Sequence, residues 1–170
     1  MNTQARARSE RSWLELARQA GRGELRGSAE QAQRLLVILV DGARYALPVE
    51  QVREIVRMRP ITPVPRVPAE VRGVISLRGQ VIQVIDLRRR LALAPAEAGR
   101  SARIVVAHDG DGQVAGILVD GVAEVATVRD EDFCEAPSGQ QGAVGGLCRV
   151  GGRFVSLVDL DRVMSFDAGT

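Results

Sequence analysis

The chain contains no lysine; all 23 of its basic residues are arginine, a bias that fits codon usage in a GC-rich genome. Aromatics are nearly as scarce, at 3% of 170 residues. The core must therefore be assembled from valine, leucine and isoleucine, a composition that favours strands. A single histidine, His108, excludes a histidine-based metal site. It stands beside Asp109-Gly110-Asp111-Gly112 in an expected turn, with no candidate serine or cysteine close in sequence. That acidic turn also lacks the closing glutamate of a calcium loop, since position 120 is aspartate. The two cysteines, Cys134 and Cys148, give neither a metal spacing nor a disulfide framework. No glycine-rich loop is followed by the lysine that phosphate binding needs. No apolar run approaches bilayer length. The arginine-rich N-terminus lacks an apolar signal core, so a cytoplasmic location is expected. These absences lead us to expect no catalytic residues, metal, cofactor, small-molecule substrate or membrane insertion.

What charge there is falls unevenly. Residues 35–103 carry twelve arginines against six acids, whereas residues 104–170 carry four against eleven. A basic front and an acidic back suit a protein with two different partners, and ordinary solvated faces would read the same way. Residues 1–33 stand apart as an N-terminal extension. Ser12-Trp13-Leu14-Glu15 has the form of a capping box, and Trp13, Leu16, Ala17 and Ala20 follow at helical spacing until Gly21. This predicts one short amphipathic helix, docked on the body or a partner, with a disordered tail as the alternative.

From Leu35 the texture changes to short apolar strands between glycine, aspartate and proline. Leu35–Val40 reads as a buried strand, Asp41-Gly42 as its turn, and Arg44–Val49 as the return. Val52, Ile55 and Val56 mark a third strand. Pro60, Pro63, Pro65 and Pro68 make an irregular connection. Val71–Leu77 and Val81–Leu87 then flank Arg78-Gly79 as a hairpin. The 71–91 segment, VRGVISLRGQVIQVIDLRRRL, aligns without a gap on 144–164, VGGLCRVGGRFVSLVDLDRVM. Gly73 and Gly79 match Gly146 and Gly152, and these four are assigned as structural turn glycines. Asp86-Leu87 matches Asp159-Leu160, and Val81 matches Phe154. Upstream, Val52, Glu54 and Ile55 match Val122, Glu124 and Val125. The chain is thus two copies of one module, with halves of about 35–91 and 104–164 in a domain spanning 34–166, and a tail at 167–170. About five strands bury too little surface alone. Closing the copies into small barrels removes strand edges, and packing two barrels together supplies the missing core. The sequence leaves open whether strands are exchanged between halves. Asp86 and Asp159 read as helix caps, and Arg88-Arg89-Arg90 as a solvated helical turn.

The segment Gly73-Val74-Ile75-Ser76-Leu77-Arg78-Gly79, followed by an apolar strand and Ile85-Asp86-Leu87, resembles the signature of the CheW family. Val52-x-Glu54-Ile55-Val56, Val67-Pro68 and Gly116-Ile117-Leu118-Val119-Asp120-Gly121-Val122 resemble further family segments, and together they cover about residues 34–166. Ser76 stands where asparagine is usual and Gln83 where proline is common. The resemblance implies an all-β fold of two tandem five-stranded SH3-like barrels. It also implies a non-catalytic adaptor linking methyl-accepting chemoreceptors to a CheA-type histidine kinase, at receptor arrays on the inner membrane. By the same resemblance Glu54 and Arg78 lie together on the receptor-binding surface, with Val52 and Ile55 as apolar contacts. A small-barrel nucleic-acid-binding protein using the basic front is the alternative, against which the lack of aromatic stacking platforms counts.

Overall fold

The computed structural model describes residues 32–135 and 142–166. The helix expected around Trp13 and the tail at 167–170 lie outside the described residues. In chain order the elements are β1 (Gln33–Val40), β2 (Ala43–Pro48), β3 (Val52–Arg57), β4 (Val71–Leu77), β5 (Gln80–Asp86) and the one-turn helix α1 (Leu87–Arg90). The second copy supplies β6 (Arg103–His108), β7 (Val114–Val119), β8 (Gly121–Val128), β9 (Phe133–Cys134), β10 (Val144–Val150), β11 (Arg153–Val158) and α2 (Leu160–Met164).

Two sheets form, ordered β8-β1-β2-β11-β10-β9 and β3-β6-β7-β5-β4. Neither sheet is built from one copy alone. The β1–β2 hairpin of the first copy is flanked by β8 and β11 of the second, while the β6–β7 hairpin of the second lies between β3 and β5 of the first. The copies therefore exchange their leading hairpins. Each exchange is sealed by a parallel pairing, Leu157 opposite Ala46 and Val84 opposite Gly116. The first sheet has a sixth strand because the two-residue β9 adds to the edge of β10.

The burial pattern explains why the exchanged hairpins read as unbroken apolar runs. Along β1, Leu35 and Val37 face the interior of the first sheet with Ala46, Cys148, Val155 and Leu157. Their neighbours Leu36, Ile38 and Val40 join a core drawn from both sheets, with Ile85, Leu87, Val105, Ile117 and Leu160. On β6, Ile104 and Val106 fill the second sheet's interior while Val105 and Ala107 enter the shared core. A strand buried on both faces loses the apolar–polar alternation of a half-exposed one. The shared core is what each small barrel lacks by itself.

The repeat extends to irregularities. The β3–β6 ladder skips a residue between Val52 and Glu54, and the β8–β1 ladder skips one between Val122 and Glu124. Both hairpin ladders also shift once, between Val71 and Gly73 and between Val144 and Gly146. The shared bulge does not make the two glycines equivalent. Gly73 has φ +140, and a Cβ there would stand 2.1 Å from the Thr62 carbonyl oxygen, because Thr62 bridges Val74. A Cβ on Gly146 would meet only ordinary contacts, the nearest at 3.5 Å.

Candidate partner-binding surface

The β4–β5 turn is two residues long, with Leu77 paired to Gln80. Such a turn takes type I′ or II′ geometry, and type I′ has positive φ at both central positions. Gly79 supplies it freely at φ 78, but the other position is Arg78 at φ 50. The left-handed region costs a residue with a Cβ about 1–2 kcal/mol. The equivalent turn between β10 and β11 has Gly151 at φ 56 and Gly152 at φ 78, so glycine suits the place. Arg78 is thus present against the local backbone preference.

Arg78 reaches Glu54 on β3, its Nη2 donating to Oε2 at 3.1 Å. The bulge before Glu54 resets the alternation, so that Val56 enters the sheet interior and Ile55 is left exposed. Arg59, just beyond β3, donates to the Ser76 carbonyl at 3.2 Å and draws the chain against the end of β4. Val81, the second residue of β5, is 74% exposed. The structure therefore brings Glu54 and Arg78 together, with exposed Ile55 on β3 and Val81 on the hairpin. Val52, half-buried, packs one side against the shared core. The Arg78 side chain is 80% exposed and Glu54 29%, so the pair contributes at most about 1 kcal/mol to folding.

The first sheet has a related face that sequence reasoning did not single out. Glu124 of β8 accepts from Arg44 of β2 at 3.0 Å, and Val125 beside it is exposed. Phe154 at the start of β11 is 62% exposed, with the Arg149 guanidinium 5.6 Å from its ring centre. An open groove nearby is lined by Arg44, Glu124, Asp132, Arg149 and Arg153. The alignment of Val81 with Phe154 was the available signal.

The arginine triplet is not a solvated turn. Arg88 is 13% exposed and joins two aspartates, Asp41 in the β1–β2 turn at 2.8 Å and Asp120 between β7 and β8 at 2.6 Å. Hydrogen bonding to Asp120 raises its pKa above the ordinary guanidinium value, against the opposing effect of burial. Arg89 accompanies the cap residue Asp86. Arg90 donates to the carbonyls of Arg162, Val163 and Ser165, capping α2 of the other copy, and lies over Phe166. Arg88 and Arg90 hold the copies together, and Arg89 ties its own copy through Asp86 and the Ala69 carbonyl, none of which a one-turn helix reveals in sequence.

His108 sits with its ring nitrogens 3.0 and 3.2 Å from the carbonyl oxygens of Asp109 and Glu50. Asp109 accepts from the backbone N–H groups of Asp111 and Gln113, so its carboxylate is engaged in closing the turn. Among the described residues no cluster of His, Cys, Asp or Glu could hold a metal ion. No described helix is long and apolar enough to cross a membrane.

Comparison with known proteins gives a consistent outcome. The family model described as the CheW-like domain matches residues 34–167. The chain is 35% identical over 133 residues to the chemotaxis protein CheW of Rhizobium meliloti (strain 1021), covering 76% of this chain and 85% of that one. It is 34% identical over 136 residues to the chemotaxis protein CheW of Bacillus subtilis (strain 168), covering 78% and 86%. The crystal structure of the scaffolding protein TtCheW from Thermoanaerobacter tengcongensis superposes with a TM-score of 0.76 at 25% identity, over 82% of this chain and 97% of that one.

Proposed function

The chain belongs to the CheW-like family, and from that premise we propose that it is a non-catalytic adaptor coupling methyl-accepting chemoreceptors to a CheA-type histidine kinase. In this reading it works in the cytoplasm at receptor arrays, and its receptor-contacting surface is the rim of the second sheet, centred on Glu54 and Arg78 with Ile55 as apolar contact. The observation that carries the site assignment is the setting of Arg78. A bulky residue stands in a left-handed turn where the other copy has glycine, and it makes one exposed ion pair of little value to folding. Arg66 and Ala92 also take positive φ, so the support lies in the conjunction at Arg78: a costly turn backbone, a mostly exposed guanidinium and the Glu54 carboxylate beside it. Two barrels that share one core also present rigidly spaced surfaces, as a bridge between two partners requires. The nucleic-acid reading gains nothing here, since the relatives named above are chemotaxis and scaffolding proteins.

Arg78→Glu places like charges together and inverts the local field. It is expected to weaken binding of a receptor cytoplasmic fragment while shifting stability by no more than about 1 kcal/mol. Adding Glu54→Arg restores the pair with reversed polarity and is expected to recover part of the loss, which a double-mutant cycle measures. Kinase binding is expected to survive in the single variant. Unchanged receptor capture by Arg78→Glu would remove this surface from the assignment and leave the adaptor role resting on family and fold.

A further inference from the structure

Among the described residues, five large apolar side chains are exposed, and four of them are two pairs of repeat equivalents: Ile55 with Val125, and Val81 with Phe154. Glu54 and Glu124 also correspond. Each follows a bulge at the same register, and each holds an arginine, at 3.1 and 3.0 Å. The turns beside them share one backbone, with φ 50 and 78 at Arg78-Gly79 and φ 56 and 78 at Gly151-Gly152. One molecule thus carries two faces with the same apolar and acidic elements on the same scaffold.

Two things separate them: the source of the arginine beside the glutamate, and Arg149 and Arg153 of the first sheet, which stand where the second has Ser76 and Gln80. In the second sheet the arginine beside the glutamate comes from the turn, and only Nη2 of Arg78 engages Glu54, leaving the other N–H groups of a mostly exposed guanidinium free to fork onto a partner carboxylate. In the first sheet Gly151 offers no side chain at the turn, and Glu124 is paired by Arg44 on β2. Conformational preference would place glycine at both turns. We infer that the turn position, residue 78 with its counterpart 151, is the specificity determinant by which a receptor partner reads one of two faces that share their apolar and acidic elements. This rests on the receptor-face assignment proposed above. The partner chemistry is an acidic group set beside an apolar contact, since a turn arginine over exposed Ile55 and Val81 complements that pair.

The test uses the full chain and a soluble hairpin-tip fragment of a methyl-accepting receptor as probe, titrated calorimetrically. Arg78→Gly copies the residue that the other turn already tolerates, so it is expected to melt at the same temperature or higher yet bind at least tenfold more weakly. The triple variant Arg78→Gly, Gly151→Arg, Arg44→Ala moves the arginine to the other turn and frees Glu124. It is expected to recover binding, with the NMR methyl shifts moving from Ile55 to Val125. Ile55→Ser, which leaves both turns untouched, checks the underlying assignment. If Ile55→Ser loses binding while Arg78→Gly binds normally, the determinant is refuted and the face stands. If neither variant loses binding, the face itself is wrong and the inference falls with it. A folded triple variant that fails to bind also overturns the inference, because the faces then differ somewhere other than the turn.

Discussion

At the scale of single residues, neighbours decide what sequence equivalence cannot. Gly73 and Gly146 occupy the same bulge, yet only Gly73 combines positive φ with a carbonyl where a Cβ would go. Gly73→Ala is expected to cost more than about 3 kcal/mol in chemical denaturation, and Gly146→Ala to stay within about 1 kcal/mol. Cys148 makes a second contrast. Burial first, then the nearby Asp132 charge, raises its pKa to about 11 from an ordinary value of 9.0. The folded state therefore favours the neutral thiol, and that contribution is intact below pH 9. It is lost as pH rises from about 9 to 11, because the unfolded thiol ionises first. Melting temperature is expected to fall across that window in the wild type and less so in Cys148→Ala, and thiol alkylation at pH 8 is expected to mark Cys134 before Cys148. A left-handed Arg78 was not legible in the sequence, since arginine, unlike the Asp41 of the β1–β2 turn, carries no signal for that conformation.

At the scale of elements, most of the fold was legible because each hairpin announces itself twice. Glycine marks the turn, and the alternation of Val71–Leu77 and Val81–Leu87 marks the strands. The two caps were legible for the same reason. Asp86 and Asp159 accept from the backbone N–H groups of Arg89 and Arg162 and are both nearly fully buried. Replacing either by alanine strands an N–H and an arginine, at a cost of about 1–3 kcal/mol. Urea titration of the two variants is expected to give similar losses, because the repeat gives both the same cap and the same following arginine, with the long Arg72 contact an addition at Asp86. By contrast β9 carries only two residues, too few to show any period. The arginine triplet was misread because a single helical turn does not show which face its neighbours cover.

At the scale of the whole molecule, the two-copy architecture was legible and the exchange of hairpins was not. Aligned copies have the same apolar pattern whichever partner strand completes each sheet, so periodicity cannot choose between them. The unbroken run Leu35–Val40 did signal burial on both sides. Exchange makes the halves interdependent. A chain of residues 34–166 is expected to fold without 1–33, whereas 34–100 or 101–166 alone lacks the flanking strands for its own leading hairpin. Circular dichroism on each half is expected to show little cooperative melting, and mixing the halves to restore it. A half that melted cooperatively by itself would mean that the shared core and the exchange are dispensable.

That exchange also sets the order in which the molecule can be made. Leu157 cannot meet Ala46 until β11 and everything between the two strands have left the ribosome. At about 5–20 residues per second the first hairpin waits on the order of ten seconds with both edges unpaired. Long-range pairing of this kind slows folding through the entropy of closing the intervening loop. The Leu35–Val40 run is uncharged and apolar throughout, so in that interval it is the part of the newborn chain most exposed to wrong pairing. The feature that fuses two copies into one rigid body is also what makes its birth dependent on a delay.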